Sequence, residues 1–188
     1  MAGIGEATLA SHRLAPAGDD DLSETGGLVV LADLERMTSE ELERACVALL
    51  RDPAEPREAP LPSRPASAAV ARRTVLALLR LWGLHQLLEA GELLTGELVA
   101  NAVRHTGGRI IGLRVIRRPG WLRVEVRDSS RALPCLIVAN ETGYATGNGL
   151  KLVDSIAERW GADLLPRGKA VWFELKVRER AGSANSQA

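Results

Sequence analysis

The 188-residue chain is long enough for one domain with a hydrophobic core and an additional segment. Lys and Arg together number 24, as do Asp and Glu, so no net charge draws the protein to nucleic acid or to an acidic membrane surface. The two cysteines, Cys46 and Cys135, fit no zinc or C-x-x-C spacing, which favours a reduced, cytoplasmic protein. Neither a secretory signal nor an apolar run of the roughly 20 residues that a membrane helix needs occurs in the sequence.

Residues 1–64 are expected to form an N-terminal extension. Its first 22 residues are rich in Ala and Gly and end in an acidic run, which favours a disordered tail, and residues 27–31 are a candidate strand. Thr38 and Glu41 have the spacing of a capping box, and the apolar stripe that follows predicts a helix over 39–51. Five prolines between residues 53 and 65 then favour an irregular linker.

Residues 65–178 carry the patterns of a folded domain, with a disordered tail expected over 179–188. Leu94, Leu98 and Ala102 form the apolar stripe of one helix, and alternation in the segment after Trp121 indicates a half-buried strand. The predicted elements are helices over 66–82 and 89–105, a hairpin of strands 110–117 and 121–127, a loop over 128–147, a helix over 150–159, and a second hairpin around 166–168. This order predicts an α/β (α+β) two-layer sandwich, in which a mixed, mostly antiparallel sheet carries helices on one face.

Three polar residues share one stripe of the second helix. Glu97, Asn101 and His105 are spaced four residues apart, beside the stripe that must face the core. An amide oxygen can coordinate Mg²⁺, and a carboxylate one turn away can orient or deprotonate a nucleophile. The alternative, which this short spacing alone favours, is an amphipathic helix with an asparagine paired to backbone groups. We assign His105 no catalytic role.

Two further motifs lie at element ends. Asp128 closes a strand, where a carboxylate suits hydrogen bonding to a donor such as an exocyclic amine, although a turn capped onto Ser130 explains it equally well. Gly147-Asn148-Gly149 opens into a helix, whose free N–H groups and dipole favour an anion. This motif is neither a P-loop nor a dinucleotide fingerprint, and the alternative is a flexible hinge.

In chain order these motifs resemble the GHKL superfamily of ATP-binding proteins, which includes gyrase, the histidine kinases and the mismatch-repair ATPases. The matching segments are Glu97 to His105 (ELVANAVRH) for the N box, Val126 to Ser130 with Pro134 for the first glycine-box region, Gly147 to Val153 for the second, and Gly168 to Leu175 for the closing strand. The resemblance covers about residues 65–178 and implies the Bergerat fold. The most similar branch is that of the anti-sigma-factor, serine-kinase-like ATP-binding proteins.

The resemblance implies a role for each matching position. Asn101 would hold Mg²⁺, Glu97 would act as the catalytic base, and Asp128 would accept a hydrogen bond from the adenine amine. Residues 131–148 would form a mobile lid. The nucleotide-binding loop would include Gly147, Asn148, Gly149 and Leu150.

The sequence departs from this branch at three positions. Asn148 stands where the branch usually has Arg, which weakens the expected phosphate contact. Ala170 stands where a threonine commonly helps to bind the base, so one hydrogen bond of about 0.5–1.5 kcal/mol is expected to be absent. Gly96 stands where Ser is frequent, and a glycine inside a helix costs about 1 kcal/mol. These departures bear on turnover more than on binding.

The resemblance implies a regulator of transcription that binds Mg·ATP, phosphorylates a serine of an antagonist protein, and otherwise sequesters a sigma factor. The implied partners are therefore a sigma factor, an anti-anti-sigma antagonist, or both, with no direct nucleic-acid or membrane contact, and a homodimer is expected by analogy only. A nucleotide-gated protein-binding module without kinase turnover is the alternative. A histidine-kinase catalytic domain is disfavoured, because residues 1–64 are too short and proline-rich for a phospho-acceptor helical hairpin.

Overall fold

The protein folds as one five-stranded sheet with helices packed on its inner face. A computed structural model describes residues 32–106, 109–132 and 148–178. The strands are β1 (Ala59–Pro62), β2 (Ile110–Arg118), β3 (Trp121–Asp128), β4 (Arg159–Leu165) and β5 (Gly168–Lys176), in the spatial order β1-β2-β3-β5-β4. The helices are α1 (Ser39–Leu50), α2 (Ala66–Leu81), α3 (Leu88–Thr106) and α4 (Asn148–Ile156), with a 3-10 turn at His85–Leu87.

The predicted α+β architecture is confirmed. The sheet was predicted to be mixed and mostly antiparallel, and all four strand pairings among the described residues are antiparallel. The first predicted hairpin joins β2 to β3 through a turn in which Gly120 has a φ of 76°, a conformation that glycine adopts without a side-chain clash.

The core lies between the inner face of the sheet and the helices. On β3, Leu122, Val124 and Val126 are at most 1% exposed, and their register partners on β5 are Leu175, Phe173 and Val171. Helix α3 contacts β2, β3 and β5 and contributes the buried Leu94 and Leu98, as its apolar stripe predicts. Burial of these aliphatic side chains is the main force that holds α3 against the sheet.

The outer face of the sheet carries charged side chains that pair with one another. Glu125 is only 5% exposed and accepts a hydrogen bond of 2.8 Å from Arg127. Its burial acts to raise the pKa of the carboxyl, but the hydrogen bond from Arg127 and the charges of Arg127, Arg114 and Arg123 outweigh burial, so that the pKa lies below its ordinary value. Arg123 also stacks 3.9 Å from the ring centroid of Trp172.

Helix α1 begins at the predicted capping box. The Thr38 hydroxyl accepts from the Glu41 N–H at 3.3 Å, and the Thr38 N–H donates to the Glu41 carboxylate at 2.8 Å. The buried Leu42, Cys46 and Leu50 of this helix belong to the same hydrophobic cluster as α3 and the sheet. Helix α1 therefore packs against the core through these three residues.

The expectation of an irregular linker over residues 53–65 is wrong for residues 59–62. They form β1, an edge strand that pairs with β2 through Ala59↔Leu113 and Leu61↔Ile111. An edge strand tolerates Pro60 and Pro62 because, within the described ranges, no strand lies on one side of its backbone to require N–H donors. Ala59 and Leu61 are fully buried, which gives a proline-rich segment a reason to adopt the extended conformation.

Two other boundaries differ from the sequence analysis. The helix expected over 66–82 is α2 and ends one residue earlier, at Leu81, which is 61% exposed. The helix expected over 150–159 is α4 and ends at Ile156, because Arg159 and Trp160 already pair with Glu174 and Phe173 of β5. The candidate strand over 27–31, the tails over 1–22 and 179–188, and most of the loop over 128–147 lie outside the described residues.

Candidate functional site

Helix α3 presents its polar stripe at the border of the core. Glu97 and Asn101 are partly buried and His105 is exposed, while Leu94, Leu98 and Ala102 beside them are buried. Glu97 and Asn101 are thus held in a defined direction by the packing of the adjacent apolar stripe. His105 lies exposed in the last turn of α3.

Glu97 lies directly against the first turn of α4. A Cβ atom added to Gly149 would overlap the Glu97 carboxylate, so any larger residue there would push this side chain aside. The acid of α3 is therefore adjacent to the helix end at which backbone N–H groups lack intrahelical partners. Asn148 begins α4, and Leu150 is 7% exposed, so it anchors this turn to the protein.

Gly147, which was also predicted to bind nucleotide, lies outside the described residues, as do Pro134 and Cys135. The described part of the glycine motif accordingly consists of the start of α4. This helix has nine residues and contacts both α3 and β4. The close approach of Gly149 to Glu97 gives this glycine a reason in packing, beside its predicted role in phosphate binding.

Asp128 is the last residue of β3 and points to the inner side of the sheet. It is 5% exposed as a residue, and its Oδ1 accepts from the Ser130 N–H at 2.8 Å. The turn interpretation of this residue is thus confirmed. The same Oδ1 also accepts from Lys169 Nζ at 2.9 Å, so the carboxylate does more than form a turn.

Lys169 is the functional candidate that the sequence analysis missed. Its side chain is 4% exposed and that of Asp128 is 2% exposed, which makes the pair a buried ion pair. Lys169 Nζ also lies 3.4 Å from the Ser130 carbonyl oxygen. The alternation of side chains along β5 could have identified Lys169 as an inward-facing residue, because it is in phase with the inward residues Val171 and Phe173.

The sequence analysis expected Ala170 to remove a hydrogen bond to the base. This expectation is wrong, because Ala170 does not lie on the face of the sheet that carries Asp128. Ala170 is the register partner of Arg127 and Asp163, so it lies on the outer face of the sheet, whereas Asp128 pairs with Lys169 on the inner face. Since successive strand residues alternate between faces, Ala170 cannot stand beside Asp128. The residue that β5 directs to Asp128 is Lys169.

Gly168 brings β5 close to the end of β3. It has a φ of 100°, and a Cβ atom there would overlap the backbone carbonyl of Asp128. Both observations require glycine, the first because of the backbone conformation and the second because there is no room for a Cβ atom. Gly168 thereby allows β5 to begin close to the end of β3, where Asp128 and Lys169 lie opposite each other.

Few side chains of the described residues are available as ligands for a divalent cation. Among the described residues, no group of three or more His, Cys, Asp or Glu side chains could hold a metal ion by itself. The Asn101 Oδ1 is a suitable oxygen ligand, and it accepts from Arg104 Nη1 at 3.2 Å. Mg²⁺ is commonly bound by one or two protein oxygens together with phosphates. The Asn101 side chain therefore fits a cation that arrives with a nucleotide.

A separate surface groove lies at the opposite end of the sheet. It has a volume of about 320 Å³ and is lined by residues that include Pro53, Arg117, Pro119 and Val177. Pro119 belongs to the β2–β3 turn, whereas Asp128 lies at the other end of β3, so this groove is distinct from the candidate site.

No helix in the described ranges has the length and apolar character needed to cross a membrane.

Comparisons with known proteins place this arrangement in a family. A search of curated proteins finds no match. Residues 61–175, more than half of the chain, match the family model described as the histidine kinase-like ATPase domain. This match covers the α3 stripe, β3, α4 and β5, and it supports ATP binding within the GHKL superfamily. The chain belongs to the histidine kinase-like ATPase domain family.

Proposed function

We propose that the protein binds Mg·ATP between α3, the end of β3 and the start of α4, and that it transfers phosphate to a serine or threonine of a partner protein. The observation that carries this proposal is the contact of the Glu97 carboxylate with Gly149 at the beginning of α4. It brings a candidate base next to a helix N-terminus, which favours phosphate through its free N–H groups and its dipole.

Adenine recognition is assigned to Asp128. A carboxylate is an acceptor when ionised, and the exocyclic amine of adenine is a donor, so the two are complementary. The position of Asp128 at the end of a central strand gives the carboxylate a rigid backbone, and the Ser130 N–H fixes its orientation at 2.8 Å. A hydrogen bond to a charged group contributes about 1.5–3 kcal/mol.

Phosphoryl transfer needs positioning and charge neutralisation more than covalent chemistry from the protein. Glu97 lies one helical turn from Asn101, so Glu97 can orient the hydroxyl nucleophile of a partner while Asn101 faces the phosphates. Asn101 would hold Mg²⁺, which neutralises phosphate charge when it is bound. For this, Asn101 must exchange its hydrogen bond with Arg104 for the cation.

The partner is proposed from resemblance. The segments that resemble the anti-sigma-factor branch include ELVANAVRH in α3 and the glycine motif at the start of α4. On this basis the substrate is a serine of an antagonist protein and the sequestered protein is a sigma factor, which makes the chain a regulator of transcription. Direct contact with nucleic acid or membrane is not part of the proposal.

One contact favours the alternative, a nucleotide-gated binding module without turnover. Asn101 Oδ1 is already occupied by Arg104, and coordination of a cation has to compete with that hydrogen bond. If Arg104 keeps the amide, nucleotide still binds through Asp128 and the start of α4, and it acts by shifting a conformational equilibrium.

Binding is tested by titrating ATP with Mg²⁺ into the protein by calorimetry, beside Asn101→Ala and Asp128→Asn. We expect Asp128→Asn to weaken binding tenfold or more, which corresponds to the loss of about 1.5–3 kcal/mol. Asp52→Asn is the control, since Asp52 forms a similar turn, with Oδ1 accepting from the Ala54 N–H at 2.9 Å, at an exposed position. A folded wild type that binds no nucleotide would refute the proposal.

Turnover is tested by incubating the protein with labelled ATP and candidate sigma factors or antagonist proteins. Glu97→Ala should keep ATP affinity and lose transfer of phosphate to the partner, because a base acts on the nucleophile rather than on the nucleotide. Glu92→Ala, on an exposed position of the same helix, should leave both unchanged. ATP binding without transfer to any partner favours the gated module.

A further inference from the structure

The charge of the chain is balanced only over its whole length. Residues 1–64 contain 13 Asp and Glu against 6 Arg, whereas residues 65–188 contain 11 Asp and Glu against 18 Lys and Arg. The first part thus has a formal net charge of −7 and the remainder one of +7. The densest acidic stretch is residues 19–24, with Asp19-Asp20-Asp21 and Glu24, which we call the acidic segment. A cluster of like charges is typical of an interaction segment, and the basic remainder of the same chain is the partner surface closest to it.

Exposed arginines without a carboxylate partner lie at the end of the sheet that carries the candidate nucleotide site. Four arginines of the outer face, by contrast, form ion pairs of 2.8 to 3.5 Å: Arg114, Arg123, Arg127 and Arg159. No ion pair among the described residues includes the four at the nucleotide end, which we call the rim arginines: Arg104, Arg109, Arg131 and Arg167. The first lies in the last turn of α3, and the others lie before β2, after β3 and before β5. They present a basic surface to an anion.

The first described residues of the chain are fixed at the same end of the sheet. Arg64, which follows β1, donates through Nη1 to the carbonyl oxygen of Glu35 and through Nη2 to that of Met37, both at 3.1 Å. The neighbouring Ser63 N–H donates to the carbonyl oxygen of Arg109 at 2.8 Å. The chain therefore enters the fold beside one of the rim arginines.

The distance along the chain favours the rim arginines over the basic side chains at the opposite end of the sheet. Ten residues separate Asp21 from Ala32, the first described residue. A flexible segment of this length has an r.m.s. end-to-end distance of about 18 Å. Exposed arginines at the opposite end, such as Arg118, are farther away by the length of β2, which is nine residues or roughly 30 Å. Of the two basic surfaces, the acidic segment therefore meets the rim arginines more often.

We propose that the acidic segment docks on the rim arginines and competes there with the phosphates of the nucleotide, so that the chain lowers its own affinity for ATP. The competition rests on the proposed function, whereas the docking does not. Guanidinium groups bind carboxylates and phosphates through the same pair of parallel N–H donors, so one arginine cannot serve both ligands fully. A short linker keeps the acidic segment at an effective concentration in the millimolar range, which populates a contact that would be weak between separate molecules.

The first experiment compares ATP affinities by calorimetry with Mg²⁺ for the 188-residue wild type and the triple variant Asp19→Asn, Asp20→Asn, Asp21→Asn. We expect the triple variant to bind ATP at least about threefold more tightly at low ionic strength, because its neutral side chains no longer compete with phosphate. The difference should shrink as salt is added, since exposed charges are screened over about 10 Å at 0.1 M. The control removes the same charge from exposed positions away from the rim arginines: Glu89→Gln, Glu92→Gln and Glu158→Gln. It should bind ATP as the wild type does.

Docking is measured without nucleotide, through backbone amide resonances. Neutralising the acidic segment in the triple variant should shift the resonances of Arg104, Arg109 and Arg131, because a negative charge leaves their surroundings. The resonances of Arg117 and Arg118, near the other end of β2, should stay in place.

A rim variant supplies an independent test. Arg109→Ala should at least halve the gain in ATP affinity that neutralising the acidic segment gives, as expected for groups that interact. Arg118→Ala, which replaces an exposed arginine at the end of β2, should leave that gain unchanged.

Equal ATP affinities of the triple variant and the control overturn the inference, and so do rim resonances that fail to move. In both cases ATP binding itself stands, so the proposed function survives. If the wild type and the triple variant both bind no nucleotide, the proposed function is overturned and the competition with it, while the resonances still decide whether the acidic segment docks.

Discussion

The buried ion pair of Asp128 and Lys169 makes a strong prediction about stability. Removing one member of a buried pair leaves the other as an uncompensated charge, which typically costs about 3–5 kcal/mol. The low exposure of both side chains, 2% and 4%, means that solvent cannot screen the remaining charge. We therefore expect Lys169→Met and Asp128→Asn each to lower the free energy of unfolding by about this amount.

The double variant should behave differently from the sum of its parts. Replacing both charges leaves no unpaired ion, and the amide oxygen introduced by Asp128→Asn can still accept from the Ser130 N–H, which donates to the native carboxylate at 2.8 Å. Such paired replacements are often close to neutral. We accordingly expect the double variant to be more stable than either single variant. The coupling energy between the two residues, which are in direct contact, would then be large.

Urea denaturation, followed by tryptophan fluorescence and circular dichroism, measures the four free energies of the cycle. Arg57→Met is the control, because Arg57 and Glu55 form a pair of similar length, 2.7 Å, with side chains 59% and 63% exposed. An exposed pair contributes at most about 1 kcal/mol. Additive costs in the double variant, or single variants within about 1 kcal/mol of the wild type, would refute the assignment of a buried ion pair.

Three further predictions concern other parts of the fold. Gly168→Ala, at a φ of 100° and with no space for a Cβ beside the end of β3, should destabilise the protein more than Gly120→Ala, at a φ of 76° with nothing within 4 Å; urea midpoints compare the two. Burial raises the pKa of the Cys46 thiol to about 11, so in a variant with the other cysteine replaced by serine, a thiol reagent at pH 8 should label the native protein far more slowly than the unfolded chain. Thr38→Ala should cost about 1 kcal/mol through loss of the N-cap. The backbone hydrogen bond from Thr38 holds the pKa of Glu41 below its ordinary 4.5. The Glu41 carboxylate therefore stabilises α1 above pH 4.5, and this contribution is lost as the pH falls through the lowered pKa. A pH series of urea midpoints should show this loss in the wild type and less of it in Thr38→Ala.

The sequence by itself determined the features that depend on neighbours along the chain. The capping box at Thr38, the stripes of α3 and the hairpin of β2 and β3 all follow from spacings of two to four residues, and the structure contains each of them. The motif order was also sufficient for the superfamily resemblance, which the family match over residues 61–175 supports. Local periodicity reliably indicates these helices and strands because each of them buries one apolar face in the core.

The tertiary structure alone decided which side chains meet. Proline-rich residues 59–62 form a strand because β2 offers them a partner and the core buries Ala59 and Leu61, neither of which is visible in the local sequence. The overlap between a Cβ at Gly149 and the Glu97 carboxylate depends on the approach of two helices that are far apart along the chain. Lys169 reaches Asp128 only through the register of β3 and β5, because contacts between distant segments depend on how strands align and not on the spacing within either one.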